Sequence, residues 1–359
     1  MSEIAELGEF GLIRQLTKDI EIKNEGTRKG VGDDCAVIAP QAGMQTLVTT
    51  DMLMEGVHFD LMYVPLHYLG YKAVIENLSD IYAMNGTPRQ ITVSLALSKR
   101  FSVEDVEQLY SGMRQACDEH GVDIVGGDTT SSLTGLAISI TAIGEARPDD
   151  IVYRNGAQET DLICVSGNLG AAYMGLQLLE REKMVYNKQL ATAQRSGNKR
   201  EMDYLASMQP DFAGREYILQ RQLKPQARRD IVAALAQAGI HPTSMIDISD
   251  GLSSELLHIC TQSLTGCRIY EERLPLDYQT AATAEEFNMN VTTCALNGGE
   301  DYELLFTVPL TDNERIQQIE DVHLIGYITK QSLGCALICR DGVEMELKAQ
   351  GWNPLQKKS

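Results

Sequence analysis

The chain is predicted to fold as a mixed α/β (α+β) protein of two domains, and three observations predict it. Its 359 residues exceed what one ordinary core accommodates. Segments of helical period alternate with short strand-like runs along the whole length, the mark of helices packed on sheets. A content of 43% hydrophobic and 23% charged residues is that of an ordinary globular chain, which excludes disordered and fibrous classes.

Residues 4–20 are expected to be helical, because Leu7, Phe10, Leu12, Ile13, Leu16 and Ile20 recur near helical spacing. A glycine-rich turn at Gly26, Gly30 and Gly32 follows, then short strands over 35–38 and 46–50. Residues 66–84 return to a helical period with Leu69, Ala73, Leu78 and Ile81 as the buried stripe. A strand over 90–97, a helix over 103–120 and strands over 123–125 and 136–143 complete a first domain, residues 1–148. The second domain, 149–359, opens with a strand over 161–166, a turn bracketed by Gly167 and Gly170, and a helix over 171–182. Residues 183–213 are polar and read as a mobile or helical insertion without chemistry. Helices over 226–238 and 251–263, with strands over 243–248, 267–270, 302–308, 322–328 and 335–340, finish the chain.

The net charge of −19 argues against nucleic acid as a partner, since phosphate backbones are bound by basic surface. It would repel nucleotides too, unless acidic groups at the site hold divalent cations that reverse the local sign. No apolar run approaches the ~20 residues of a membrane span. Residues 1–10 carry three glutamates and no basic residue, so a signal peptide is not expected and a cytoplasmic protein is. The eight cysteines form no C-x-x-C pair, and most are expected to be buried as small hydrophobes in a reducing compartment.

Six segments share one chemistry, acids or hydroxyls beside glycine or at strand ends: residues 30–34, 49–51, 77–80, 126–130, 247–251 and 297–301. Any one of them is ordinarily a turn or a helix N-cap. Their number points elsewhere: glycine lets backbone approach a ligand, and carboxylate and hydroxyl oxygens suit Mg²⁺. Asn77 and Asp80 are three apart on a helix and share a face. Asp247 and Ser249 lie two apart at a strand end, and Asp250 falls where a helix begins, as cap, ligand or both. Clustered carboxylates need neutralising, metal ions do so, and polyphosphate is then the natural ligand. No P-loop run, no protein-kinase signature and no complete G-x-G-x-x-G is present, so a less common nucleotide fold is expected.

The segments GVGDDCAV (30–37), TTDMLMEGVHF (49–59), NLSDIYAMNGTP (77–88), GGDTT (126–130), MIDISDGLSSEL (245–256) and NGGEDYELLFT (297–307) resemble, in that order, the thiamine-monophosphate kinase family of the aminoimidazole ribonucleotide synthetase superfamily. The resemblance runs from about residue 5 to Trp352, interrupted mainly at 183–213. It implies a synthetase-like two-domain fold, with an N-terminal mixed-sheet domain that forms a barrel with its twin in a homodimer and a C-terminal α/β domain packed on it. It implies ATP-dependent phosphorylation of thiamine monophosphate to thiamine diphosphate, with several Mg²⁺ ions held by Asp34, Thr49, Thr50, Asp51, Asp80, Asp128, Asp247 and Asp250. Asp51, Asp80, Asp128 and Asp250 would be the catalytic set. Tyr110, Gly127, Asp128, Arg154 and Ser249 would surround ATP; His58, Glu300 and Trp352 would surround the thiamine phosphate. Trp352 can stack on a flat cationic ring, or simply anchor the C-terminus; Arg154 can fork onto a phosphate, or lie idle on the surface. Neither membrane nor nucleic acid is an expected partner.

Two other readings stay open at this point. A superfamily sibling is one, although no cysteine precedes Cys35 for selenium chemistry and the chain ends Gln-Lys-Lys-Ser rather than in a cysteine tail. A non-catalytic nucleotide or metal sensor on the same fold is the other.

Overall fold

The computed structural model describes residues 4–207, 210 and 212–350. Helix α1 (Ile4–Thr17) drives Leu12 and Leu16 into the first core, and β1 (Thr27–Lys29) pairs β2 (Val37–Ile38) in a small ribbon. The strands β3 (Gln45–Met54), β4 (Thr87–Leu97), β5 (Asp123–Ser131) and β6 (Leu136–Ala146) form one sheet in the order β3-β6-β4-β5. The β4–β5 pair is parallel and the others are antiparallel, so the sheet is mixed.

Helices α2 (Leu66–Ala83) and α3 (Val103–His120) cover one face of that sheet. They cross at backbone contact: a Cβ on Gly70 would lie 1.9 Å from the Leu109 carbonyl oxygen, and one on Gly112 would lie 1.8 Å from that of His67. Only glycine fits such a crossing. α3 begins and ends where the sequence predicts because both caps are strong. Ser102 Oγ accepts from the Asp105 N–H, the Asp105 carboxylate accepts from the Ser102 N–H, and Gly121 closes the helix with φ 69°. The other face of β3 is open, and Val48, Met52 and Met54 are exposed on it at 65%, 59% and 39%.

The second half is built on a seven-stranded sheet. Its strands are β7 (Leu162–Ser166), β8 (Ser244–Asp247), β9 (Thr265–Tyr270), β10 (Leu304–Val308), β11 (Val322–Lys330), β12 (Cys335–Ile338) and β13 (Glu344–Glu346), in the order β13-β12-β9-β11-β7-β10-β8. Around it lie α4 (Ala171–Ser196), α5 (Lys199–Ser207), α6 (Glu216–Leu223), α7 (Arg229–Gln237), α8 (Leu252–Ser263), α9 (Tyr278–Glu286), α10 (Val291–Asn297) and the short α11 (Asn313–Ile316). Central β7 and β10 are buried at every position, the pattern of strands covered on both faces.

The polar insertion is helical. α4 runs on to Gly197, which stops it with φ 66°, and α5 follows, with Ala193 and Leu205 as buried contacts. α6, α9 and α10 were not anticipated. They are short, and their apolar residues pack against α4 rather than repeating along a long stripe. No helix among the described residues is long and apolar enough to cross a membrane.

Candidate active site

Between the two sheets lies a cavity of about 520 Å³, lined by Thr46, Val48, Thr49, Asp80, Tyr153, Arg154 and Asp247 among others. Alternation along β3 puts Thr49 and Asp51 on the helix-covered face and turns Thr50 away from it. The Thr49 hydroxyl donates to the Asp80 carboxylate on α2. One residue earlier on α2, the Ser79 hydroxyl donates to Asp247 Oδ2 at 2.6 Å, which ties the first helix layer to the end of β8. Asp51, Asp80 and Asp247 thus meet at the seam.

Their electrostatics follow from that meeting. Burial, with the Asp80 charge added, pushes Asp51 up to about 6. Burial again, with Asp80 second, pushes Asp247 up to about 7 although Ser79 and Arg154 favour its charge. Burial also raises Asp80 against the opposing Thr49 hydrogen bond and Arg154. Three carboxylates therefore face one another with one guanidinium in range. A site of this kind is short of positive charge. Buried oxygens without a partner among the described residues border it: Glu76 Oε1, Asn77 Oδ1 and Glu255 Oε2.

Asp250 joins from the turn after β8. It is not the helix cap: Gly251, at φ 125°, holds the N-cap position of α8 and has no side chain to cap with. The Asp250 N–H instead donates to Glu255 Oε1 at 3.1 Å, leaving the exposed carboxylate of Asp250 directed elsewhere. Burial pushes Glu255 up to about 8, helped by the charges of Asp250 and Asp247. Ser249 is exposed beside it and receives the Glu300 N–H on its carbonyl at 2.7 Å. That contact needs glycine next door, since a Cβ on Gly299 (φ 70°) would lie 2.7 Å from the same Ser249 oxygen. Glu300 and Tyr302 themselves sit at φ 58° and 51°, a strained run held by the packed loops on either side.

A second polar cluster lies further along α2. Lys72 Nζ contacts Glu300 Oε1 at 2.8 Å, and Gln222 Nε2 donates to Glu300 Oε2 at 3.0 Å. His58 is close by: its Nδ1 accepts from the Met54 N–H at 3.0 Å, which puts the ring proton on Nε2. Burial lowers its basicity, with Glu300 opposing. Beneath them Glu76 is buried and pushed up to about 8 by that burial. Lys72 and Glu76 were missed by sequence reasoning. The signal was there, since Lys72, Glu76 and Asp80 recur every four residues on the stripe of α2 next to its apolar face.

Other expected residues lie apart. Asp34 is exposed in the turn before β2, where its own N–H donates to Asp33 Oδ1 at 3.0 Å. Thr50 Oγ1 donates to the Ile140 carbonyl at 3.1 Å on the far face of β3. Asp128 and Gly127 are on β5, separated from β3 by β6 and β4, roughly 14 Å at the usual strand spacing. A Cβ on Gly127 would lie 1.9 Å from the Val93 carbonyl oxygen, so its place is set by strand packing. Tyr110 is 6% exposed within the first core, with its hydroxyl pushed up to about 12 by burial. Arg154 lines the seam cavity. Trp352 lies outside the described residues.

Residues 32–146 match the model of the family described as AIR synthase related protein, N-terminal domain. Thiamine-monophosphate kinase of Bacillus subtilis (strain 168) is 30% identical over 355 residues, 97% of this chain and 99% of its own. That of Aquifex aeolicus (strain VF5) is 34% identical over 332 residues, 90% and 96% of the two chains. The solved structure of AaThiL complexed with AMPPCP and TMP superposes with a TM-score of 0.71 at 32% identity, covering 98% of both chains.

Proposed function

The chain belongs to the thiamine-monophosphate kinase family, and from that premise we propose that it transfers the γ-phosphoryl group of ATP to the phosphate of thiamine monophosphate, giving thiamine diphosphate. The observation that carries the reading is the meeting of Asp51, Asp80 and Asp247 at the seam, each pushed toward its neutral form, with Arg154 as the cation in range. A relative that holds AMPPCP, an ATP analogue, together with TMP supports both substrates.

The donor set fits Mg²⁺. It is made of hard oxygens, three carboxylates and the Thr49 hydroxyl, with further buried oxygens nearby that have no hydrogen-bond partner among the described residues. Asp51, Asp80 and Asp247 with Thr49 would hold the ions, joined by Asp250 from the turn after β8; Asp34, Thr50 and Asp128 stand apart within one chain and would join the set only on loop movement or dimer closure. When bound, Mg²⁺ supplies positive charge that lets two polyanions approach and offsets the charge developing during transfer.

The chain's own residues do the rest. Arg154 lines the cavity and would present its guanidinium to donor phosphate there. Ser249 beside Asp250 would offer backbone to it, while Gly127 and Tyr110, which lie away from the seam on β5 and in the first core, are proposed only for the outer part of the nucleotide. Lys72 and His58 would receive an acceptor phosphate, with Glu300, held by Lys72 and Gln222, beside the cationic thiazolium. Trp352 is proposed to stack on the thiamine rings. The acceptor oxygen is already anionic, so no general base is required, and a direct in-line displacement without a phosphoenzyme follows.

Asp128 and Asp51 lie on the β5 and β3 edges of a four-stranded sheet whose outer face exposes Val48, Met52 and Met54. Closing two such sheets into a homodimeric barrel would cover that face and leave no free edge. The domain division at 148/149 and a cytoplasmic setting belong to the same reading.

The test is a coupled ADP-release assay with thiamine, thiamine monophosphate and aminoimidazole ribonucleotide precursors, with and without Mg²⁺. Turnover confined to thiamine monophosphate and dependent on Mg²⁺ is expected. Turnover with a purine precursor in its place, or undiminished in chelator, would overturn the reading.

A further inference from the structure

Eight cysteines are scattered in sequence, yet three of them converge in the second half of the fold. Cys260 sits near the end of α8, Cys267 on β9 and Cys335 on β12, and their sulfurs all lie within 4.8 Å of one another. Strand register explains part of this, since β9 and β12 run parallel with Cys267 and Cys335 directly paired. The turn from α8 into β9, through Leu264 at φ 55°, brings Cys260 back over them. Spacing in the sequence does not reveal the cluster, because one member is 68 residues from its partner strand's cysteine (335 − 267 = 68).

Cys260 and Cys267 are buried, and Cys335 is partly open to solvent. The sulfurs meet in the apolar core formed by residues such as Leu256, Ile269 and Leu337. Thr265 Oγ1 is also buried and lies against the Cys260 sulfur. The Arg268 side chain lies in range of Cys335, with its guanidinium on the Cys267, Leu333 and Gly334 carbonyls and against Glu344. Hydrogen bonds from Cys260 and Cys267 favour the Cys335 thiolate and hold it low, at about 3. Hydrogen bonding among the neighbouring sulfurs, and then burial, push the other two up.

We propose that Cys260, Cys267 and Cys335 form a binding site for one thiophilic d¹⁰ cation, of the zinc or copper(I) class, distinct from the oxygen-lined seam. A metal at ~2.3 Å from each of three sulfurs sets them roughly 3.8–4.0 Å apart, which three sulfurs within 4.8 Å of one another can meet. Sulfur-only donors reject Mg²⁺, and the oxygen set at the seam prefers it, so the two sites sort cations by softness. The ion enters past Cys335, the three thiols give up their protons to solvent, and the Thr265 hydroxyl or a water takes any fourth position. Coordination pins α8, the helix that follows the 247–251 turn, to β9 and β12. The cation would act there as a clamp on the second core and take no part in phosphoryl transfer.

The test titrates the reduced full-length protein with Cd²⁺, watching the ultraviolet sulfur-to-metal charge-transfer band, and then with Zn²⁺, watching Tm and competition with a chelator. One equivalent, a rise in Tm, and an affinity more than about 10-fold weaker in Cys335→Ser are expected, with Cys339→Ser binding as the parent does. Cys335 is partly exposed, so its variant tests the site without emptying the core; Cys267→Ser should lose the band altogether. A missing band, a band that persists in Cys335→Ser at full affinity, or mild oxidation that consumes two thiols in a protein that takes up no metal would overturn the proposal.

Discussion

Two groups of acids meet beside the adjacent strands β8 and β10, one around Glu303 and one around Asp247, and they are treated in opposite ways. Glu303, on the approach to β10, has a side chain 1% exposed and is met by Arg221 at 2.8 Å, by Arg228 and by the Ser166 hydroxyl. Arg228 in turn reaches Asp230 and Asp321 at 2.8 and 2.7 Å. Asp247, next to that strand on β8, is 4% exposed and receives one hydroxyl hydrogen bond, with two further acids close at hand. The chain supplies Arg221 and Arg228 in direct contact to the first group and only the more distant Arg154 to the three acids of the second. A buried acid met by two guanidinium groups holds the fold together. One whose compensation is missing awaits a cation from outside.

Substitutions that remove the charge on each side probe this contrast. The largest effect on folding is expected from Glu303→Gln, which strands Arg221 and Arg228. It should cost about 3–5 kcal/mol in urea unfolding, and loss below 1 kcal/mol would erase the distinction. Next come Asp80→Asn and Asp247→Asn, expected to lower kcat by on the order of 10²–10³-fold. Because each aspartate is raised in the fold, the metal-free variants should melt no lower than the parent. Variants that melt much lower would make these acids structural like Glu303.

Glu76→Gln sharpens the comparison through pH. Its folded pKa, about 8, lies above the ordinary 4.5, so the parent carries the proton when folded and sheds it on unfolding between those values. Its contribution is fully present below pH 4.5 and is lost as pH rises to about 8. Glutamine removes that dependence. The variant should gain on the parent by about 1–3 kcal/mol across this window, and parallel stability profiles would show that Glu76 is ionised in the fold.

The fold was legible where local signals were strong. The span of α3 follows from its Ser102 box and Gly121 stop, and α2 from its apolar stripe. It was illegible where tertiary packing decides: α6, α9 and α10 are helices of seven to nine residues whose apolar faces make sense only against α4. The acidic segments announced the seam through their chemistry, and Asp51, Asp80 and Asp247 are indeed brought together. Which acids face one another was not readable, because it depends on strand order. Asp51 and Asp128 look equivalent as acids at strand-borne motifs but lie on opposite edges of one sheet. The three converging cysteines were hidden for the same reason, since register across β9 and β12 pairs residues distant in sequence.

Lys72, Glu76 and Asp80 occupy successive four-residue steps of a single helix. At 1.5 Å per residue, the first and last are roughly 12 Å apart along the axis. A stiff rod therefore acts as the gauge between the two polar clusters, and loop motion at either end cannot alter its length. One residue inserted into the middle of α2 would swing one cluster by about 100° relative to the other while leaving every side chain present. The separation of the two clusters is thus written in the pitch of a helix rather than in the shape of a cavity.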